Sequence, residues 1–354
     1  MNTLIKFIAG VVIAAGAIPA TAHDFTATVE GQTLYFNIVN KKERKVAVTF
    51  CGSISDHVPS VVRGTLVIPT TVKDGTVPYT VTAVGPKAFA NSADLEGVVF
   101  PTTVTSIGDF AFEGCNRLSK VIFPGRQVEM GQGTFFRCTS LSQLTFGSDW
   151  RVLDLAPYRW SDSLRTLVVP AKIERVQNLK SLRSLRSIEV DANNRRFSSH
   201  GGALYNKDGK TLYGVPRAYA GPLTIADGTT TVTEGAFVDC PGITQIVFPA
   251  SLQSLSFRET ANLLNLETLV MKGAEPVLNA IRGGKSYFLV ELANPKARIV
   301  ISKDAKKAYR EALATEPGEY TQAGASTPVP YAVPKQLMPT DKTFETVKNF
   351  AKYE

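Results

Sequence analysis

Apolar residues recur through the middle of the chain at a fixed interval. Leu95, Leu118, Leu141 and Leu164 lie 23 residues apart, as do Phe100, Phe123, Phe146 and Val169. A third column holds Val84, Ile107, Met130, Leu153 and Val176, and a fourth holds Phe89, Phe112, Phe135 and Tyr158. The same period returns later, pairing Val232 with Leu255, Ile243 with Leu266 and Phe248 with Met271. Four columns in one register predict stacked units that each cover their apolar side with the next, so that no single unit is stable alone.

Within a unit the run Leu-x-x-Val-x-Phe has the alternation of a strand, and the Pro or Gly that follows it stops the ladder, since proline brings no N–H. Stacked at about 4.8 Å, such strands form a parallel sheet. Side chains alternate along a strand, so the residue between the last two inward positions faces solvent. That position is Val99, Ile122, Thr145, Val168, Glu189, Val247 and Val270, and an adjacent outward column reads Lys120, Gln143, Thr166, Ser187, Gln245 and Thr268. A mostly β-branched stripe beside a polar one is a candidate protein-binding face. The competing reading is that β-branched residues suit strands wherever they point, or that another part of the chain covers them.

One complete unit, Ile107-Gly108-x-x-Ala111-Phe112-x-x-Cys115-x-x-Leu118-x-x-Val121-x-Phe123-Pro124, with a partial copy from Val84 to Pro101, resembles the BspA-like leucine-rich-repeat family of bacterial surface proteins. The segment Phe197 to Pro216 is similar to the hairpin insert that such proteins carry between repeats. The likeness spans Gly64 to Lys272. It implies a right-handed leucine-rich-repeat solenoid with a parallel β-sheet on one face, a Gram-negative anaerobe as source, and host extracellular-matrix proteins or neighbouring bacterial cells as partners.

Some units depart from the pattern. Met130-Gly131 is followed by Thr134-Phe135 where Ala-Phe is expected, Leu153 to Ser161 lacks both the Gly and the Cys, and Leu185 follows Leu164 by only 21 residues. These irregularities predict changes of curvature or specialised surface. The expected organisation is a β-hairpin cap over 23–63, the solenoid over 64–280 with an insert at 197–216, and a small α/β C-terminal cap over 281–354. Within that cap, Ala297 to Ile301 reads as a last strand, Lys303 to Ala314 as a short helix, Glu316 to Pro339 as a linker or extended wrap, and Asp341 to Glu354 as a terminal helix.

The first 22 residues read as a secretory signal peptide: Lys6, an apolar run from Phe7 to Ile18, and the small-residue site Ala20-Thr21-Ala22. No lipoprotein cysteine lies near the cleavage site, and no later segment is apolar enough to span a bilayer. Export to the periplasm, cell surface or medium is expected. The net charge of +8 loses one unit with Lys6 and favours acidic partners, while export argues against nucleic acid.

Candidate chemistry is sparse. Four cysteines and three histidines are too few for a disulfide scaffold or a His-rich metal site, and no cofactor is expected. Gly284-Lys285-Ser286 lacks the glycine a phosphate loop needs at position 279, which is Asn279. A Cys51–His57 pair has no supporting context. Cys115 and Cys138 share a column in adjacent units, where a bridge and a pair of buried thiols are both open. A non-enzymatic recognition or adhesion protein is therefore expected.

Two further surfaces remain. Trp160 aligns with the loop positions Gly114, Arg137 and Asp239, and with Arg159 beside it could stack on a sugar or anchor a protein contact. Arg165, Lys172, Arg175, Lys180, Arg183, Arg186, Arg195 and Arg196 crowd one third of the chain. Arg183 and Arg186 are candidates for a polyanion patch, against the alternative of an ordinary solvated face. If Trp160 and the arginines form one patch, a periplasmic or surface glycan-binding accessory protein becomes the alternative function.

Overall fold

The computed structural model describes residues 23–50, 62–256, 260, 262–282, 285–290, 292–314, 318–323, 331–333 and 344–353. The signal-peptide expectation, Cys51 and His57 lie outside these residues. Strands Leu95–Val99, Lys120–Phe123 and Gln143–Phe146 pair in parallel, with Val98 opposite Val121 and Val121 opposite Leu144. The repeat interval of the sequence is thus the register of the sheet. Gly64–Val67 adds to one side of this sheet, with Val67 opposite Val99. The next two rungs supply the parallel pair Thr166–Val169 and Ser187–Val190. A second parallel set carries the Val-Ile-Met column through Val77–Val84, Ser106–Ile107 and Glu129–Met130, followed by the pair Val152–Asp154 and Arg175–Gln177.

The columns stack where the pattern places them. Rings of Phe89, Phe112, Phe135 and Tyr158 lie parallel at successive spacings of 5.1, 5.1 and 5.2 Å. Phe100, Phe123 and Phe146 form a second pile at 4.8 and 5.9 Å, closed by Trp150 at 4.8 Å from Phe146. At close approaches between rungs only glycine fits: a Cβ on Gly108 would sit 2.5 Å from the Pro86 nitrogen, and one on Gly131 2.6 Å from the Asp109 nitrogen.

A polar ladder ties the turns of adjacent rungs together. The Cys115 thiol donates to the Phe89 carbonyl at 3.1 Å and Cys138 to the Phe112 carbonyl at 3.1 Å. In the unit that lacks the cysteine, the Ser161 hydroxyl donates to the Phe135 carbonyl at 3.3 Å. The irregular unit therefore keeps the contact with a different donor, which gives the buried Ser161 hydroxyl a partner it would otherwise lack. Cys115, Cys138 and Cys240 are free thiols. Of the two readings of the cysteine column, the structure adopts buried thiols rather than a bridge.

The shortened unit turns through Asn178, which is left-handed with φ 56°, and a single 3-10 turn Leu179–Ser181. Strands Phe197–His200, Ala203–Asn206 and Thr211–Gly214 follow as an antiparallel insert, whose last strand runs parallel to Thr231–Val232 and so hands the chain back to the solenoid. One hydrophobic cluster runs from Phe25 to Leu204 and a second from Ala203 to Leu313. The second half is built on the parallel sheet Ala220–Thr224, Gly242–Phe248, Thr268–Met271, Arg298–Ser302 and Phe344–Val347.

At the N-terminal end Phe25–Val29 and Gln32–Asn40 form a hairpin, and Lys45–Thr49 pairs antiparallel with it and parallel with Val77–Val84. The C-terminal end differs from expectation. Helix Lys306–Ala312 forms, but of the stretch Asp341 to Glu354 expected as a terminal helix, the described residues 344–353 form none of that helix. Phe344–Val347 is instead the edge strand of the second sheet, and Ala351–Tyr353 is one 3-10 turn. The run Phe344-Glu-Thr-Val347 suits a pleated edge, and pairing with Arg298–Ser302 docks it on an existing sheet, whereas a short helix standing alone is only marginally stable. Within the stretch read as a linker, Gly318–Gln322 and Tyr331–Val333 pair with each other, and Gly318–Gln322 also pairs with Ala280–Arg282.

Candidate functional site

Alternation along each strand carries the outward stripe into solvent from Val99 to Glu189. Val168 is 50% exposed, Val99 and Ile122 are half-buried, and Thr145 and Glu189 are exposed. Lys120, Gln143 and Thr166 are exposed beside them. Val67, 40% exposed and opposite Val99, belongs to the same stripe. Sequence reasoning missed it because its unit lacks the full motif, although Gly64 begins the stretch that resembles the repeat family. From Val67 to Thr145 the stripe crosses four hydrogen-bonded strands, about 14 Å at the ordinary strand spacing, and Val168 continues it on the separate pair that follows. Arg117, paired with Glu96 at 2.6 Å and Asp94 at 3.5 Å, edges it with charge.

The expectation that Val247 and Val270 also face solvent is incorrect. Both are buried, together with Val300, beneath Tyr353, Val347 and Phe350 of the C-terminal segment. Gln245 Nε2 donates to the Tyr353 carbonyl at 3.1 Å. Glu345 accepts from Arg298 at 2.7 Å, Lys352 at 2.9 Å and the Tyr353 hydroxyl at 3.1 Å. These donors, led by Lys352, hold the Glu345 carboxyl below its usual range. The covering reading thus holds in the second half of the molecule, and among the described residues no such segment lies over the first.

Trp160 occupies the turn column shared with Asn91, Gly114, Arg137 and Asp239, all at positive φ. Its φ of 67° costs an L-residue about 1–2 kcal/mol. The indole is 38% exposed, and the Arg183 guanidinium carbon lies 3.8 Å from its ring centroid. Arg159, Lys180 and the Arg217–Asp239 pair, 3.4 Å apart, complete the wall of a shallow cavity of about 280 Å³. Trp160, Arg159 and Arg183 are therefore brought together. Arg186 is not: it leads into strand Ser187–Val190, its backbone N–H bonded to the Arg165 carbonyl, and does not line this cavity. Lys180 turns inward, donating to the Val215 and Ala236 carbonyls at 2.9 and 3.2 Å and reaching Cys240 Sγ at 3.3 Å.

A groove of about 1270 Å³ follows the second strand set past Thr82, Thr105, Ser106 and Glu129. The threonines preceding each Ser-Ile or Ala-Val pair were its only sequence signal. Burial raises the Cys115 thiol to about 12 and pushes Cys138 well up as well, so neither is a thiolate nucleophile near neutral pH. Among the described residues no group of His, Cys, Asp and Glu is arranged to hold a metal ion, and no helix is long and apolar enough to cross a membrane.

The model of the BspA type leucine-rich repeat region matches in six copies over residues 70–200 and 221–276, together more than half of the chain. No curated protein matches the sequence. Among solved structures, the chain is similar to the pneumococcal vaccine antigen PcpA at 17% identity and TM-score 0.49, covering 80% of this chain and 82% of that one. It is also similar to a leucine-rich cell surface protein of Faecalibacterium prausnitzii at 17% identity and TM-score 0.39, covering 79% and 89%. A leucine-rich repeat protein of T. pallidum gives 18% identity and TM-score 0.36, covering 63% and 85%.

Proposed function

Because the chain belongs to the BspA-type leucine-rich repeat family, we propose that it is an exported recognition and adhesion protein that takes a protein partner across the sheet-face stripe from Val67 to Val168. The carrying observation is internal: the equivalent stripe at Val247, Val270 and Val300 is occupied by the chain's own Val347, Phe350 and Tyr353, whereas the first five rungs have no such cover among the described residues. A stripe that buries apolar and aromatic groups of one segment has the chemistry to bury those of another, with Lys120 and Gln143 as polar neighbours. The rigid repeat scaffold lowers the ordering cost of presenting this surface. The partner class is a matrix protein of a host or a surface protein of another bacterium.

The test is binding of the chain from His23 onward to immobilised matrix and bacterial surface proteins. Ile122→Lys and Val168→Lys abolish it on this reading, while Val77→Lys, at an exposed valine off the stripe, leaves it intact. Glycan binding centred on Trp160 is the weaker alternative, because Arg183 already occupies one face of the indole and leaves only the other for a sugar ring.

A further inference from the structure

A second kind of surface lies where the insert leaves the solenoid. The corner loop 191–197 is fixed by Asn194, whose side chain is buried. Its amide donates to the Pro170 and Ile173 carbonyls at 2.8 and 3.1 Å, and its oxygen accepts from the backbone N–H of Arg196 and Phe197, each at 2.8 Å. Lys207 of the insert ties to the same loop, Nζ to the Ala192 carbonyl at 3.0 Å. Arg195 and Arg196 are thereby presented from a backbone anchored on the solenoid core.

Two adjoining cavities open around them, about 440 Å³ on the solenoid side with Arg151 and Lys172, and about 400 Å³ on the insert side with Lys207 and Tyr213. Arg195, Arg196 and Glu174 line both, so the two cavities adjoin across these side chains. Five cations face two carboxylates, Glu174 and Asp208. Lys172 is neutralised by Asp149 at 2.8 Å, and Arg151 lies 3.8 Å from Glu174. Arg195 and Arg196 form no ion pair among the described residues. Tyr213 is 45% exposed, with its ring held edge-on against Phe197 at 5.8 Å. None of these residues lines the Trp160 cavity.

An open groove with two unpaired guanidinium forks, further ammonium groups and an exposed aromatic ring has the elements that recognise a charged sugar chain. The forks take sulfate or carboxylate bidentately, and the ring packs on the apolar face of a pyranose. We propose that this groove binds an acidic oligosaccharide, bearing sulfate or uronate groups, with Arg195 and Arg196 as its anion contacts and Tyr213 as its stacking platform. The site is separate from the sheet-face stripe and stands or falls independently of it.

Fluorescence anisotropy with a labelled heparin-derived octasaccharide tests the proposal, with uncharged dextran and inorganic polyphosphate as competitors at low and physiological salt. Arg195→Glu with Arg196→Glu weakens binding by at least about tenfold, the expected loss of charge-assisted hydrogen bonds. Arg195→Gln with Arg196→Gln gives a smaller loss in the same direction. Tyr213→Ala weakens binding while leaving its salt dependence unchanged, and Ile122→Lys has no effect. Unchanged thermal unfolding of the variants separates a lost contact from a lost fold. Wild-type affinity in both arginine pairs overturns the site, and polyphosphate that competes equally while Tyr213→Ala does nothing reduces it to plain ion exchange and overturns the saccharide assignment.

Discussion

Replacing Phe112 with alanine tests the stacked architecture at its centre. Phe112 is fully buried, lies 5.1 Å from both Phe89 and Phe135 in the parallel pile, and meets Phe100 edge-on at 5.8 Å. Truncating a buried phenylalanine costs about 3–5 kcal/mol through lost transfer energy and the cavity left behind. Each aromatic pair adds about 0.5–1.5 kcal/mol beyond area, so three broken pairs place this site near the upper end, about 5 kcal/mol. That is a large fraction of the stability of an ordinary domain, about 5–15 kcal/mol. In an array held by nearest-neighbour contacts, the loss is local. Hydrogen exchange should therefore accelerate in rungs from Phe89 to Tyr158, while strands Gly242–Phe248 and Thr268–Met271, in the separate second cluster, keep their protection. Phe112→Leu, which retains most of the apolar volume, should lose much less. Equal deprotection of both halves by Phe112→Ala, or a loss below about 1 kcal/mol in denaturant unfolding, would refute the reasoning.

Cys115, Cys138 and Cys240 have their thiol pKa values raised by burial, so a thiol reagent at pH 8 should label none of them in the folded protein and all three after unfolding. The Glu345 carboxyl is held below its usual range by Lys352 first and then by the Tyr353 hydroxyl and Arg298. Its contribution is present above the unfolded carboxylate pKa and disappears as pH falls through the lower folded value. The C-terminal segment should accordingly become susceptible to proteolysis in that acidic window, and Glu345→Gln should abolish the pH dependence.

The repeat was legible because it is written in every rung. The spacing of Phe89, Phe112 and Phe135 is the spacing of stacked rings, and Val98, Val121 and Leu144 stand opposite one another. Contacts made once in the chain left no such trace. Strand Phe344–Val347 depends on a partner more than 40 residues earlier, and the burial of Val247 and Val270 depends on that strand and its following turn. Alternation correctly distinguished the faces of each strand but carried no information on what covers them. The loss of cysteine at Ser161 looked like a break in the pattern, yet a hydroxyl makes the same donation as the thiol. Arg183 and Arg186, three residues apart, separate because the chain turns between them, so only Arg183 reaches Trp160.

The central claim is that the open stripe from Val67 to Val168 is the protein-recognition surface. Its most direct test is surface-plasmon resonance of the purified chain against immobilised matrix and bacterial surface proteins, comparing wild type with Ile122→Lys, Val168→Lys and the off-stripe control Val77→Lys. The account predicts protein binding that both stripe variants remove and the control retains. Protein binding that survives both stripe substitutions in a folded chain would contradict it and place recognition elsewhere on the solenoid.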